Sequence, residues 1–210
     1  MTHLFSPEAD HVIDEILTHT PLLALDFDGT LAPIVALPEQ ARAPMAVSRV
    51  LARISEFLPV AIITGRSIAD VSERLGFVPH YIVGNHGAEG LPDSEITDTA
   101  HLVAQWRSTL DHTFGPKLKA AGITVEDKGH SLSLHYRLAR DRKPAMDAIR
   151  SIVAALRPAP RVIEGKCVTN LLPHGAPDKF HAVRTLARLA QCDTVIFAGD
   201  DVVFEQAPPN

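Results

Sequence analysis

The sequence predicts an α/β fold in which a parallel sheet forms a core and a smaller α+β block is inserted into it. Apolar runs at 22–27, 59–63 and 80–83 are typical of buried strands, and helical patterns separate them. This β-α-β-α-β order favours parallel pairing with right-handed crossovers. After about residue 92 the pattern changes to helices with alternating strands, which indicates the inserted block.

The core helices are predicted from apolar spacing and from capping residues. Apolar side chains at helical spacing predict a first helix around residues 12–17 and a second around 47–58. Ser67, with an aspartate three residues later, is typical of an N-cap and opens a third helix after the second strand. Asp178 similarly begins a last core helix, which precedes a final apolar strand at 194–198.

The inserted block alternates helices and strands in the order α-β-β-α-β-β. Apolar residues at 102–110 and 146–156 predict two helices, the second with Pro144 in its first turn. Strict alternation of Ser and Leu at 131–134 predicts a sheet with one face open to water. We expect its strands at 123–126, 131–136, 161–164 and 167–172. The expected domains are a discontinuous core at 1–91 and 172–210 and a cap at 92–171.

The composition argues against nucleic acid or an anionic membrane as the main partner. The 210 residues carry a net charge of −5 with no dense run of Lys or Arg, and 46% are hydrophobic. Cys167 and Cys192 lie far apart in apolar contexts, which favours free thiols in a reducing compartment. No secretory pattern opens the chain, and no apolar run approaches about 20 residues. We therefore expect a cytoplasmic monomer that acts on a small molecule.

Two carboxylates at the end of the first strand are the most informative feature. Asp26 and Asp28 belong to the hexapeptide DFDGTL at 26–31, directly after a buried run. A spacing of two directs both side chains to one side of an extended chain until it turns at Gly29. This edge of an open α/β sheet is where ligands bind. Two like charges held this close require a cation or a proton between them, and oxygen ligands of this kind suit Mg²⁺.

Three other element ends carry residues suited to phosphate chemistry. The tripeptide TGR at 64–66 follows the second strand and precedes a helix, where a hydroxyl and free N–H groups can bind an anion. Asp200 and Asp201 follow the last strand and add oxygen ligands for a metal. Lys179 lies in the first turn of a helix, where a positive charge is unfavourable unless it faces an anion. Each segment alone has a structural explanation, but their common position at element ends predicts one site.

These segments resemble the four motifs of the haloacid dehalogenase superfamily, most members of which are phosphatases that form an aspartyl-phosphate. The resemblance implies a Rossmann-like parallel-sheet core with an inserted α+β cap. It implies that Asp26 is the nucleophile and that Asp28 protonates the leaving oxygen and later activates water. The residues that it places at the phosphate are Thr64, Gly65, Arg66 and Lys179. The Mg²⁺ ligands that it implies are Asp26, the backbone carbonyl of Asp28 and Asp200, with Asp201 nearby.

Further segments resemble the trehalose-6-phosphate phosphatase family within that superfamily. They are GNHGAE at 84–89, EDKG at 126–129, LHYR at 134–137, GK at 165–166 and the extended first motif DFDGTLAPI at 26–34. The resemblance implies Mg²⁺-dependent hydrolysis of trehalose 6-phosphate to trehalose and phosphate, under a cap that excludes water when it closes. The sugar-binding residues that it implies are Asn85, His86, Gly87 and Glu89 near the hinge, and Glu126, Lys128 and Lys166 on the cap.

Structural explanations stand beside several of these assignments. Residues 85–86 can also shape a hinge turn, and Lys166 can pair with Glu164 at the surface. Three neighbouring cap residues are equally well explained as strand residues that stabilise the cap, namely His135, Tyr136 and Arg137.

The second half of the chain departs from the family pattern at three positions. Asn170 stands where the family commonly has Glu, Leu172 where it has a basic residue, and Phe180 where it has Gly. A phosphatase for another sugar phosphate, of the sucrose-6-phosphate or mannosyl-3-phosphoglycerate type, therefore remains an alternative, as does a non-catalytic sugar-phosphate-binding module. The family usually continues with a further acidic pair and a helix, so either residues are missing after Asp201 and after Asn210 or the protein is truncated, and we expect the former.

Overall fold

The computed structural model describes residues 7–35, 37–92 and 100–200. The chain divides into two compact units, a core unit up to Pro92 and from Pro177 onwards, and a cap unit from Asp93 to Ala176. The helices are α1 Pro7–Leu17, α2 Met45–Ile54, α3 Ile68–Leu75, α4 Ala100–Ala120, α5 Arg142–Ala155 and α6 Lys179–Leu189. The strands are β1 Pro21–Leu25, β2 Val60–Ile63, β3 Tyr81–Val83, β4 Thr124–Asp127, β5 Leu132–His135, β6 Arg161–Gly165, β7 Val168–Leu172 and β8 Thr194–Ala198.

The core sheet is parallel throughout, in the order β3-β2-β1-β8, which confirms the predicted α/β class. Because the four strands run the same way, their carboxyl ends meet at one edge of the sheet. All four residues of β2 are buried, and Phe27 belongs to the same apolar cluster as Val71 and Leu75 of α3. This packing fixes the edge from which the residues after β1, β2 and β8 emerge.

Capping residues define the helices on that edge, as the sequence predicts. The hydroxyl of Ser67 accepts a hydrogen bond from the backbone N–H of Asp70 at the start of α3. The carboxylate of Asp178 accepts one from the N–H of His181 at the start of α6. The first strand ends two residues earlier than predicted, because the chain turns there and the Phe27 carbonyl accepts hydrogen bonds from the N–H groups at 31 and 32.

The cap unit has an antiparallel sheet in the order β4-β5-β7-β6, covered by α4 and α5. Trp106 of α4 is buried in its apolar core, and its indole N–H donates to the Pro158 carbonyl at 2.8 Å. Both cysteines of the chain are free, as expected from the sequence. Among the described helices, none is both long and apolar enough to span a membrane.

The prediction that one face of this sheet is exposed to water is wrong at two serines. Ser131 and Ser133 are as buried as their neighbours Leu132 and Leu134. The hydroxyl of Ser133 donates to Oδ1 of Asn170 on the neighbouring strand β7 at 2.7 Å. A small hydroxyl that has a hydrogen-bond partner can be buried at little free-energy cost. Alternating polar and apolar residues therefore do not indicate an exposed face here.

Candidate active site

Asp26 continues the sheet one residue beyond β1. Its N–H donates to the Ala198 carbonyl of β8 at 2.9 Å, and its side chain is nearly fully buried. Oδ2 accepts a hydrogen bond from Nζ of Lys179 at 2.6 Å, and Oδ1 accepts one from the N–H of Phe27 at 2.7 Å. The carboxylate is therefore fixed through both oxygens at the edge where ligands bind.

Lys179 is the first residue of α6 and is also buried, with 8% of its surface exposed. A cation at a helix N-terminus is opposed by the helix dipole. The ion pair with Asp26 offsets that repulsion and the loss of hydration for both groups. The sequence suggests that this lysine faces an anion, and the structure places it beside a carboxylate of the same site.

The loop after β2 lies beside this pair in the sheet order. Thr64 is fully buried, and its N–H donates to the Val83 carbonyl of β3 at 2.9 Å. Its hydroxyl oxygen accepts a hydrogen bond from the N–H of Arg66 at 3.2 Å, which shapes the loop into α3. Gly65 lies between them under the imidazole ring of His86, so closely that a Cβ atom would lie 2.4 Å from the ring.

Asp28 and Arg66 form a bidentate ion pair that the sequence reasoning missed. Nε of Arg66 donates to Oδ2 of Asp28 at 2.7 Å, and Nη2 donates to Oδ1 at 2.8 Å. The guanidinium also lies over the ring of Phe27, 5.3 Å from its centroid. Two parallel N–H···O bonds fix the plane of a carboxylate, which a lysine in this position could not do.

The charge state of Arg66 follows from its surroundings. Burial by itself would lower its pKa, but the hydrogen bonds and negative charges of Asp28 and Asp70 outweigh that effect and raise the pKa. Burial likewise tends to raise the pKa of Asp70, while the hydrogen bonds from Arg74 and Arg66 lower it. Both groups are therefore charged throughout the neutral pH range.

Asp200 follows β8 and lies against the turn after Asp28. A Cβ atom at Gly29 would lie 2.1 Å from Oδ2 of Asp200, so only glycine allows this approach. Carboxylate oxygens of Asp26 and Asp200 and the Asp28 carbonyl thus come from adjoining ends of two paired strands. Among the described residues, no group of three or more His, Cys, Asp or Glu side chains is placed to hold a metal. Asp201 lies outside the described residues.

The segment after β3 forms a tight turn held by its own side chains. Asn85 and His86 have positive φ angles of 50° and 58°. The buried Asn85 amide donates to Oε2 of Glu89 at 2.8 Å, and the same oxygen accepts the N–H of Ile68 at 3.0 Å. Glu89 therefore ties this turn to the first residue of α3.

Gly87 completes this turn against the start of α6. A Cβ atom on Gly87 would lie 2.5 Å from the carbonyl oxygen of Asp178, the residue before Lys179. The N–H of His86 donates to the Thr64 carbonyl at 3.0 Å, which joins the turn to the loop after β2. A tight turn at 85–86, as the sequence suggests, is therefore present, and it contacts the segments that carry Thr64 and Lys179.

Comparison with known proteins identifies the family of this chain. A sequence model of the trehalose-phosphatase family matches residues 24–209. The chain belongs to the trehalose-phosphatase family. The trehalose-phosphate phosphatase of Mycobacterium leprae is 32% identical over 212 residues, which cover 92% of this chain and 48% of that protein. The chain spans about half the length of the curated relatives it matches.

Two solved structures show the same fold as this member of the trehalose-phosphatase family. The C-terminal domain of C. albicans trehalose-6-phosphate phosphatase matches with a TM-score of 0.74 and 22% identity, over 92% of this chain and 74% of that one. A trehalose-6-phosphate phosphatase related protein matches with a TM-score of 0.68 and 24% identity, over 86% and 78% of the two chains.

The cap residues that resemble trehalose-phosphatase motifs form a cluster on β4, β5 and their turn. Oε2 of Glu126 lies 2.7 Å from Nε2 of His135 and 4.0 Å from Nζ of Lys128. His135 therefore contacts a residue assigned to the sugar. Tyr136 is buried in the cap core, as the structural explanation expects.

Lys166 lies on an exposed turn between β6 and β7, near the end of β5, where His135 pairs with Val168. Its carbonyl accepts a hydrogen bond from Arg137 at 3.1 Å. The described residues include no ion pair between Lys166 and Glu164, whose carboxylate instead accepts a hydrogen bond from Thr169 at 3.0 Å. This arrangement gives no support to the alternative that Lys166 forms a surface pair with Glu164, and a role for Lys166 at the sugar stays a prediction.

Residues in which this chain departs from the family have local partners. Asn170 is buried, and its amide accepts from Ser133 and donates to the Ile163 carbonyl at 3.3 Å. Phe180, beside Lys179, lies under the guanidinium of Arg184 at 5.7 Å.

Two site-supporting residues, Asp70 and Arg74, escaped the sequence reasoning. Each is one helical turn from a charged neighbour of opposite sign, starting at Arg66, so the spacing of four was visible in the sequence. Ion pairs at this spacing are usually surface features. The spacing alone therefore does not reveal that the ion pairs from Arg74 through Asp70 and Arg66 lead to Asp28.

Proposed function

We propose that this chain hydrolyses trehalose 6-phosphate to trehalose and inorganic phosphate through a phosphoryl group carried on Asp26. The buried ion pair of Asp26 with Lys179 carries this proposal, because it holds a nucleophilic carboxylate and a phosphate-binding cation together at the sheet edge. Family membership supports the substrate, since two curated relatives, 32% and 31% identical, are named trehalose-phosphate phosphatases.

The reaction takes two displacements at phosphorus. In the first, an oxygen of Asp26 attacks phosphorus while the bond to the sugar oxygen breaks, and Asp28 gives its proton to that oxygen. In the second, water attacks the same phosphorus while the bond between phosphorus and the Asp26 oxygen breaks, and Asp28 takes a proton from the water. Phosphate leaves, and both aspartates return to their starting forms.

Arg66 orients Asp28 for these proton transfers. Both carboxylate oxygens of Asp28 accept hydrogen bonds from Arg66, an arrangement that suits the carboxylate taking a proton from water. Delivery of a proton to the sugar oxygen requires that one of the two bonds is given up. The other bond can still hold the side chain in place.

Phosphoryl oxygens would be held by the hydroxyl of Thr64, the ammonium of Lys179 and the backbone N–H groups of the loop through Gly65. The loop precedes the N-terminus of α3, where the helix dipole favours an anion. Lys179 can share its protons between Asp26 and a phosphoryl oxygen, because an ammonium has three donors. The N–H groups of Arg66 donate hydrogen bonds to Asp28 and Asp70, so its role in holding phosphate is secondary to its role in orienting Asp28.

The oxygen donors at this edge fit a Mg²⁺ ion. Asp26, Asp200 and the backbone carbonyl of Asp28 would hold it, and the approach of Asp200 to Gly29 supports this set. Two carboxylates and a carbonyl leave positions for water and phosphate, as Mg²⁺ prefers. When bound, the ion offsets the repulsion between an anionic nucleophile and an anionic ester. Asp201, which is also assigned to the metal, stays a prediction.

Each unit carries residues that we propose for hydrogen bonding to the sugar. Asn85, His86 and Glu89 are the core residues proposed for this role, and the bond between Asn85 and Glu89 supports a shared function. On the cap, the cluster of Glu126, Lys128 and His135 offers paired donors and acceptors suited to sugar hydroxyls. Gly87 and Lys166 complete the proposed set.

A different sugar phosphate is the second candidate substrate. It is favoured by Asn170, whose neutral amide is engaged by Ser133 and the Ile163 carbonyl where the family commonly has a charged Glu. A site built with fewer charges on the cap could accept a sugar with a different pattern of hydroxyls.

The experiment is phosphate release from trehalose 6-phosphate, sucrose 6-phosphate and glucose 6-phosphate, each with Mg²⁺ and with a chelator. We expect Mg²⁺-dependent release from trehalose 6-phosphate at a kcat/KM at least tenfold above the other two, about 1.4 kcal/mol of discrimination. Faster release from another sugar would move the substrate and keep the chemistry. No release from any of them by the folded protein would contradict the proposal.

A further inference from the structure

The side chain of Asp70 bridges two arginines one turn apart on either side of it. Its Oδ2 accepts a hydrogen bond from Nη1 of Arg66 at 2.7 Å, and its Oδ1 accepts one from Nε of Arg74 at 3.0 Å. The two arginine side chains are only 12% and 10% exposed. This is therefore a packed network and not a pair of free surface residues.

Backbone carbonyls of residues 38–41 hold the same two arginines from another direction. The Pro38 carbonyl accepts from Nη2 of Arg66 at 3.0 Å. The Glu39 and Ala41 carbonyls accept from Nη1 of Arg74, the latter at 3.5 Å. Each guanidinium is thus fixed by a carboxylate and by the chain that follows the Asp28 turn.

Every nitrogen of the Arg66 guanidinium donates a hydrogen bond to a carboxylate oxygen. Nε and Nη2 hold the two oxygens of Asp28, and Nη1 holds Asp70. The plane of the Asp28 carboxylate depends on the plane of this guanidinium. That plane in turn depends on Asp70, because a planar fork with one corner released can rotate about its long side chain.

We propose that Asp70 is a positioning residue of the active site, acting through Arg66 to orient the carboxylate of Asp28. The inference rests on the proposed function, in which Asp28 delivers a proton to the leaving sugar oxygen. Proton transfer is sensitive to displacements of about 1 Å, so loss of this support impairs the step that needs the proton most.

Two substrates with different leaving groups distinguish this positioning role of Asp70 from a general structural role. A sugar alkoxide is a poor leaving group and needs the proton of Asp28, whereas nitrophenolate leaves without one. The ratio kcat/KM reports the steps up to release of the first product, so it isolates the displacement that expels the leaving group. A change that only loosens the fold or the phosphate site lowers kcat/KM for both substrates together.

The test compares Asp70→Asn with Glu73→Gln, which removes the same charge from an exposed side chain of α3. Each protein is assayed with trehalose 6-phosphate and with p-nitrophenyl phosphate. We expect Asp70→Asn to lower kcat/KM for the sugar phosphate by about tenfold or more and for the aryl phosphate by less than about twofold. Glu73→Gln should leave both values unchanged.

Equal losses on both substrates, or no loss on the sugar phosphate, would overturn the assignment. If Asp70→Asn does not fold, Asp70→Glu decides, because it keeps the charge but displaces the carboxylate from Arg66, and it should show the same selective loss. Failure of the proposed function has a different signature, since the unaltered protein would then release no phosphate from trehalose 6-phosphate. If the unaltered protein prefers another sugar phosphate, that ester replaces trehalose 6-phosphate in the comparison.

Discussion

Nζ of Lys179 lies 2.6 Å from Oδ2 of Asp26, although 153 residues separate the two in the chain. Both side chains are nearly fully buried, so each charge is compensated mainly inside the protein. The pair joins the first motif of the sequence to the last helix of the core. It therefore links the stability of the core unit to the chemistry proposed for it.

Lys179→Met should be both destabilised and inactive. Removal of one partner leaves a buried carboxylate without its cation, which costs about 3 kcal/mol or more in the free energy of unfolding. Denaturant unfolding measures this loss, and phosphate release should fall by at least about a hundredfold.

The double variant Lys179→Met with Asp26→Asn is the control for this prediction. It removes both charges, so it should recover most of the lost stability and none of the activity. A double variant as unstable as the single one would show that the ion pair is not the source of the effect.

Asp70→Asn should make stability less dependent on pH in acid. The pKa of Asp70 is lowered in the folded protein relative to its ordinary value of 3.8. Its contribution is therefore present above that value and is lost as the pH falls through the lower folded pKa. We expect the free energy of unfolding of the unaltered protein to exceed that of the variant by about 1 kcal/mol at pH 7. The two values should be equal at a pH at which Asp70 is protonated in both the folded and the unfolded state.

Unfolding free energies at neutral pH and near pH 3 measure this difference. Glu73→Gln serves again as the control, because its side chain is exposed. A stability difference for Asp70→Asn that persists unchanged into acid would mean that its effect does not come from the charge.

Ser133→Ala should lower the stability of the cap unit. It removes the donor to Oδ1 of Asn170 and leaves a buried acceptor, which costs about 1–3 kcal/mol. Ser108→Ala, an exposed serine of α4, is the matched control and should change the unfolding free energy by less than about 0.5 kcal/mol. A loss no larger than that of the control would mean that this hydrogen bond does not support the cap.

Local signals in the sequence were sufficient for the elements that form the site. Apolar runs predicted β1, β2 and β8, and Ser67 and Asp178 marked the starts of the helices that follow the loops. These features depend on residues within a few positions of each other. Their interpretation therefore does not require knowledge of the tertiary arrangement.

Contacts between distant segments could not be predicted in the same way. Arg66 was assigned to phosphate, yet it holds Asp28, which is 38 residues away, because two loops meet at the sheet edge. Ser133 was assigned to a wet face because its neighbours are leucines, but a partner on another strand lets it be buried. In both cases a polar side chain found its partner through the fold.

The most direct test of the central claim is phosphate release from trehalose 6-phosphate by Asp26→Asn. The amide keeps the shape of the carboxylate and removes its nucleophilic oxygen, and circular dichroism establishes that the variant is folded. We expect turnover below about 1% of the unaltered protein, because loss of a covalent nucleophile costs orders of magnitude. A folded variant with turnover well above that level would contradict the assignment of Asp26 as the residue that carries the phosphoryl group.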